Sequence, residues 1–229
     1  MSFKCIFVSL LSFFSVACTT CQAANFISRP IPDEIFNVMK RCSYKDCTLE
    51  DLKDQLRYLT LSYLDFEGKE QEGHLICNEK IAKKLCNIFE KLFNSKYQIS
   101  KMQIIDHYFD DEDVKSNKIS VDEASMRDNN TSCFMWRTIR STGKPSRHGL
   151  GLAVDINPLQ NPCISHDNGK ELIEPATSNY ADRNINDPHM IKKGDVCYDL
   201  FDKNGFEWGG NWIPEEGVVD YQHFQYPIS

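Results

Sequence analysis

The sequence lacks any concentration of positive charge. Lys and Arg together number 26 against 33 Asp and Glu, which leaves a formal net charge of −7. A nucleic-acid-binding domain needs a basic stripe that neutralises phosphates, and none is present here. We therefore expect no nucleic-acid partner.

Long hydrophobic runs are scarce as well. The most extended one covers Cys5 to Ala17, which is shorter than the roughly 20 residues of a membrane-spanning helix. Lys4 precedes this run and the small residues up to Ala24 follow it, as in a secretory signal peptide. The pattern predicts a signal in residues 1–24, export to the periplasm or the medium, and no stable membrane span after cleavage. Lipid attachment at Cys18 is the less favoured alternative.

Cysteines are not lacking, but outside the leader they do not form the CxxC pairs of a structural zinc site. Seven of the ten cysteines follow the predicted signal. An oxidising compartment favours disulfides, and an odd number leaves at least one thiol unpaired. Proximity suggests the pairs Cys42–Cys47, Cys77–Cys86 and Cys163–Cys197. The alternative is that several of these residues are simply small, buried and apolar.

The chain has the length of one domain of moderate size. Residues 25–57 contain short helical spacings and predict a helical prelude, whereas residues 58–229 predict the main domain. In the main domain, two β-rich segments flank Glu67-Gly68-Lys69 and predict a hairpin, after which Asn78 is positioned to cap an amphipathic helix. Residues 106–130 are polar and acidic and predict a loop, and residues 158–188 predict a long irregular insertion.

The stretch from Ser146 to Asn157 has the most informative chemistry. His148 precedes Asp155 by seven residues, and glycines at 149 and 151 lie between them. Imidazole nitrogen and carboxylate oxygen are both good zinc ligands. A second segment near the C-terminus has Asp220 three residues before His223. In a regular strand these two side chains would face opposite ways, so Asp220 must lie in a turn before the strand if both serve one site.

Several motifs occur in a characteristic order. They are Asn129-Asn130-Thr131-Ser132, Arg137, Ser146-x-His148-x-x-Gly151-x-Ala153-x-Asp155-Ile156-Asn157-Pro158, Asn161-Pro162, Trp208-Gly209-Gly210-x-Trp212 and Asp220-x-x-His223-Phe224. With this set, the chain from about Tyr58 onward resembles the D-alanyl-D-alanine carboxypeptidase and L-alanyl-D-glutamate endopeptidase family of zinc enzymes. Gly149 and Trp136 depart from the usual family pattern and put substrate preference in question more than metal binding.

The resemblance implies an α+β fold in which a small antiparallel sheet with flanking helices presents zinc on its concave face, as in the related Hedgehog signalling domains. It implies that His148, Asp155 and His223 are the zinc ligands. It also implies that Asp220 is the catalytic acid/base and that Arg137 contacts the substrate carbonyl. Further candidate substrate contacts are Ser146, Trp208 and Trp212, although the two tryptophans could equally be core residues.

The implied function is zinc-dependent hydrolysis of the stem peptides of peptidoglycan. The sequence does not choose between removal of a terminal D-alanine and cleavage between L-alanine and D-glutamate. Two alternatives stay open: a zinc-containing binding protein of the same fold that has lost turnover, and a disulfide-stabilised secreted protein with a structural metal.

Overall fold

The computed structural model describes residues 23–139, 142–167, 170–212 and 217–228. Most of the predicted signal peptide, including Cys18, lies outside these ranges. None of the helices within them combines the length and the hydrophobicity that a bilayer crossing needs.

The described residues form eleven strands and six α-helices. The strands are β1 Phe26–Pro30, β2 Leu56–Leu64, β3 Glu70–Asn78, β4 Lys101–Met102, β5 Asn130–Thr131, β6 Ala153–Asp155, β7 Cys163–Asp167, β8 Lys170–Glu174, β9 Glu207–Trp208, β10 Val218–Asp220 and β11 His223–Gln225. The helices are α1 Asp33–Met39, α2 Leu52–Gln55, α3 Glu79–Asn94, α4 Glu112–Lys115, α5 Val121–Arg127 and α6 Val196–Lys203, and Ile105–Asp110 and Gly209–Asn211 are 3₁₀-helices.

The predicted hairpin and helix are confirmed as β2, β3 and α3. The two strands pair antiparallel from Leu56↔Asn78 to Leu64↔Glu70. The side chain of Asn78 accepts a hydrogen bond from the Lys80 N–H and so caps α3. The apolar side of α3 is buried against these strands in the main hydrophobic core. This unit contributes much of the main hydrophobic core.

The fold is α+β with small antiparallel sheets, as expected, but the strands do not form one sheet. Within the described ranges they form three three-stranded sheets, in the orders β1-β2-β3, β10-β7-β8 and β6-β11-β9, and a separate β4-β5 pair. The β4-β5 pair is parallel. Apart from the nine-residue strands β2 and β3, the strands have two to five residues.

Three segments differ from their predicted conformation. The prelude, residues 25–57, contains the two expected short helices as α1 and α2, but it also contains β1, which adds an antiparallel edge to β2. The predicted loop at residues 106–130 contains α4, α5 and a 3₁₀-helix, whose apolar residues form a small core of their own around Tyr108. The predicted irregular insertion at residues 158–188 contains the β7-β8 hairpin.

The suggested disulfides are not formed. The seven cysteines that follow the leader form no disulfide within the described ranges. Cys77, Cys133 and Cys197 are buried in the core, whereas Cys163 lies in β7 opposite Asp220. The alternative interpretation, in which these residues are mainly small apolar packing groups, describes the three buried cysteines better.

Candidate metal centre and active site

The structure brings His148, Asp155 and His223 together. Asp155 ends β6, His223 begins β11, and the two residues pair directly in the antiparallel register. Directly opposed residues of an antiparallel pair carry their side chains on the same face. His148 reaches this face from the turn that precedes β6. Two adjacent strands and one turn therefore converge on a single point.

We call these three residues the metal trio. Their potential ligand atoms lie within 4.8 Å of one another. His223 Nδ1 is 3.0 Å from Asp155 Oδ1 and 3.1 Å from His148 Nε2. His148 Nε2 is 3.2 Å from Asp155 Oδ2. A tetrahedral site with bonds of about 2.0–2.1 Å has ligands about 3.3 Å apart. The donor types and separations thus fit a zinc ion.

The second nitrogen of each imidazole has its own hydrogen-bond partner. His148 Nδ1 lies 2.6 Å from the carbonyl oxygen of Cys133 and donates to it, since that oxygen only accepts. This tautomer leaves the Nε2 lone pair of His148 facing the trio. His223 Nε2 lies 3.3 Å from Gln225 Oε1, which leaves its Nδ1 free for a metal. Such partners orient metal-binding histidines and tune their basicity.

The electrostatics of the trio favour an ionised carboxylate between two imidazoles. Burial raises the pKa of Asp155, but the charges and hydrogen bonds of His148 and His223 more than offset burial and hold it well below its usual range. For His223 burial lowers the pKa, and Asp155 reverses the direction so that the net shift is upward. The carboxylate therefore keeps the negative charge that a cation requires.

Asp220 lies at the edge of the same site but in a different strand. It ends β10, and Tyr221 and Gln222 form a bend before His223 opens β11. Our expectation that Asp220 lies in a turn before the strand was therefore wrong in detail. The bend lets two residues three positions apart face one cavity. Burial, and secondarily the charge of Asp155, raise the pKa of Asp220 to about 6.

Arg137 lines the same cavity as the trio. Its guanidinium forms an ion pair with Asp122 of α5. Gly149 allows the backbone of Arg137 to pack close to it, because a Cβ at position 149 would lie 2.6 Å from the Arg137 carbonyl oxygen. The glycine that departs from the family pattern is therefore the residue that lets the Arg137 backbone pack beside His148.

The remaining predicted substrate contacts, Ser146, Trp208 and Trp212, have different positions relative to the metal trio. The Ser146 hydroxyl accepts a hydrogen bond from the Gly149 N–H at 2.9 Å and stabilises the turn that carries His148. Trp208 is buried in the core, and its indole N–H donates to the Tyr221 carbonyl at 2.9 Å. The Trp212 ring centroid lies 5.5 Å from that of His223. Trp212 is thus adjacent to the metal trio, whereas Trp208 supports the bend from the core.

The site opens into a cavity of about 560 Å³. Its lining includes the metal trio, Asp220 and Arg137, together with Ser132 of the Asn129–Ser132 motif and Cys163, which the sequence suggested only as a disulfide partner. The lining also includes residues that the sequence did not single out, namely Lys118, Ile119, Ser120, Asp122, Glu123, Met126, Glu174 and Gln222. Asp122 and its neighbours come from the segment predicted as loop, where Ser120 as a helix N-cap was the available signal. Cys163 and Glu174 come from the predicted irregular insertion and had no comparable signal.

Residues 140–226 match the family model described as D-alanyl-D-alanine carboxypeptidase. The predicted resemblance is confirmed over these residues, and its earlier part, from Tyr58 to Ile139, lies outside the match. The matched segment contains the metal trio and Asp220, and peptidases of this carboxypeptidase family are zinc-dependent. Comparisons with curated proteins and with solved structures found no match.

Proposed function

We propose that the chain is a zinc-dependent peptidase that hydrolyses the stem peptides of peptidoglycan outside the cytoplasm. The observation that carries this proposal is the convergence of His148, Asp155 and His223 at one point of a cavity that Asp220 also lines. The match to the carboxypeptidase family supports it.

The side chains divide the work. His148 Nε2, His223 Nδ1 and an Asp155 oxygen would hold the ion. Zinc with three protein ligands supplies Lewis acidity and an open position at which the pKa of water falls toward neutrality. Asp220 would accept the proton of the attacking water and return it to the leaving amine. Its burial and its unpaired Oδ1 atom, among the described residues, suit a group that exchanges protons.

Arg137 would bind the carbonyl oxygen of the scissile bond. Its guanidinium is half-exposed within the cavity lining and is held from one side by Asp122. A fixed cation of this kind stabilises charge that develops in the transition state. Loss of such a group costs about 10² to 10³ in kcat in comparable sites.

The test is mass spectrometry of defined muropeptides incubated with the zinc-loaded chain, because fragment masses identify the bond that is cut. We expect loss of a terminal D-alanine or cleavage between L-alanine and D-glutamate, abolished by a chelator. Asp220→Ala should lower turnover by about 10² to 10⁴ and still bind zinc.

Two results would contradict this proposal. Zinc binding without cleavage of any muropeptide would indicate instead a binding protein of the same fold. Turnover that survives both the chelator and Asp220→Ala would place the chemistry elsewhere on the chain.

A further inference from the structure

The cavity beside the metal trio carries an excess of carboxylates. Beyond Asp155 and Asp220 its lining holds three more acids. Two of them are neutralised: Asp122 pairs with Arg137, and Glu123 pairs with Arg127 at 2.7 Å. Glu174 has no ion-pair partner within the part of the chain that the structure describes.

The cation Lys118 also lines the cavity but does not form an ion pair with Glu174. Its Nζ lies 2.8 Å from Asp113 Oδ1, with which it forms an ion pair. The cavity therefore presents an uncompensated negative charge at Glu174.

Strand register places Glu174 in line with the proposed acid/base. In the β10-β7-β8 sheet, Asp220 pairs with Cys163 and Cys163 pairs with Glu174. Directly opposed residues share a face, so the three side chains form a row along one wall of the cavity. Neighbouring strands lie about 4.8 Å apart, which puts the backbone of Glu174 about 10 Å from that of Asp220.

Gln222 provides a second acceptor that lacks a donor. Its side chain is 2% exposed and belongs to the lining of the same cavity. The Nε2 group donates to Met126 Sδ at 3.5 Å; because a thioether sulfur only accepts, this contact fixes the orientation of the amide. Gln222 Oε1 then has no hydrogen-bond partner among the described residues. A buried acceptor without a donor is costly unless a ligand supplies an N–H group.

We propose that Glu174 binds a primary ammonium group on a side chain of the peptide substrate. The inference rests on the proposed function, because it takes Asp220 as the position of the scissile bond. A separation of about 10 Å corresponds to about three residues of extended peptide, or to one residue plus a long side chain. The substrate class is therefore a stem peptide whose diamino acid, close to the cut bond, has a free amine.

The consequence is a preference for peptides that are not cross-linked through that amine. Acylation converts the ammonium into a neutral amide, which removes the attraction to Glu174 and adds bulk at the cavity wall. The enzyme would then act before cross-linking or on released peptides.

The experiment uses two stem pentapeptides that differ only in the third residue, lysine in one and Nε-acetyl-lysine in the other. kcat/KM is measured for the zinc-loaded wild-type chain, for Glu174→Gln and for Glu171→Gln. Glu171 lies in the same strand, outside the cavity lining, and is the matched control. We expect about a fivefold preference for the free amine, the size of a partly exposed ion pair. Glu174→Gln should abolish the preference and Glu171→Gln should retain it.

Calorimetry measures binding of the same peptides to an Asp220→Asn chain, and this measurement separates the inference from the proposed function. If the zinc-loaded wild-type chain hydrolyses neither peptide, but the Asp220→Asn chain binds the amine form more tightly in a Glu174-dependent manner, the inference stands and the peptidase proposal fails. Equal handling of the two peptides, a preference unchanged by Glu174→Gln, or no binding of either peptide would overturn the inference.

Discussion

At the scale of single residues, the metal trio depends on a few neighbours that orient its rings. Cys133 offers a backbone carbonyl to His148, and that group is insensitive to side-chain substitution. His223 instead relies on the side chain of Gln225, whose amide donates to Glu207 at 2.9 Å. The orientation of His223 is therefore the more readily tested of the two.

Gln225→Leu should weaken zinc binding by about tenfold, because the partner that orients the His223 ring is lost. Zinc affinity measured by competition with a chromogenic chelator provides the comparison. Gln225→Glu, which keeps an acceptor at the same position, should bind zinc at least as tightly as wild type. Equal weakening by both substitutions would mean that this contact does not orient the ring.

Asp122 holds Arg137 where the substrate carbonyl would lie. Asp122→Ala should lower kcat/KM by about fivefold, since the half-exposed ion pair is screened by solvent. Asp122→Asn, which retains a hydrogen-bond acceptor, should lose less, and zinc content should not change in either variant. An increase in kcat/KM in Asp122→Ala would show that the ion pair restrains Arg137 rather than positions it.

At the scale of secondary structure elements, the sequence predicted most reliably where one segment carries its own pattern. The cap, length and apolar side of α3 are all local, and the structure matches them. The short helices α4 and α5 have side-chain caps, Asp111 and Ser120, but no long apolar side, because their few apolar residues pack against Tyr108 and its neighbours. A polar composition was therefore misread as a loop.

In the candidate site too, features carried by a local motif were predicted, whereas features that depend on pairing between distant segments were not. The metal trio was identified from its motifs, and the structure brings those residues together. The position of Asp220 at the end of a strand was not predicted, because β10 pairs with β7, which lies in the segment predicted as irregular. Pairing between segments that are distant in sequence leaves little trace in either segment alone.

The loop that carries His148 is anchored to the start of α3 through Gly151. The Gly151 carbonyl accepts from the Asn78 N–H at 2.7 Å. Gly151 has a φ of +66°, and a Cβ there would lie 2.7 Å from the Asn78 backbone nitrogen. The element that provides a metal ligand is therefore packed directly against the start of α3.

Gly151→Ala should reduce the free energy of unfolding by about 3 kcal/mol, from the left-handed backbone conformation and the close contact together. Gly143 has nearly the same φ, +65°, and no atom of the described residues lies within 4 Å of an added Cβ. Gly143→Ala should therefore cost only about 1 kcal/mol. Urea unfolding of both variants measures the difference, and equal losses would mean that the close approach to Asn78 has no energetic weight.

At the scale of the whole molecule, the metal trio lies beside the main hydrophobic core, to which Val154 and Phe224 of its own strands also belong. The core includes α3, the β2-β3 hairpin and α6. Phe224, the neighbour of His223 in β11, stacks on Phe201 of α6 with ring centroids 4.2 Å apart. The strand that carries a metal ligand is thus held by apolar packing on its other face.

Removal of zinc should therefore abolish hydrolysis without unfolding the chain. We expect the far-ultraviolet circular dichroism spectrum to be unchanged in chelator and the melting temperature to fall, because zinc binds the folded state alone. Unfolding on chelation would instead indicate a structural metal. Calorimetry of the apo and zinc-loaded forms distinguishes these outcomes.

A zinc titration of the metal-free chain, compared with His148→Ala, Asp155→Ala and His223→Ala, tests whether these three residues hold one ion. We expect one tightly bound zinc ion per wild-type chain and loss of that binding in each variant, with the fold preserved by circular dichroism. Zinc bound with unchanged affinity in all three variants would contradict it.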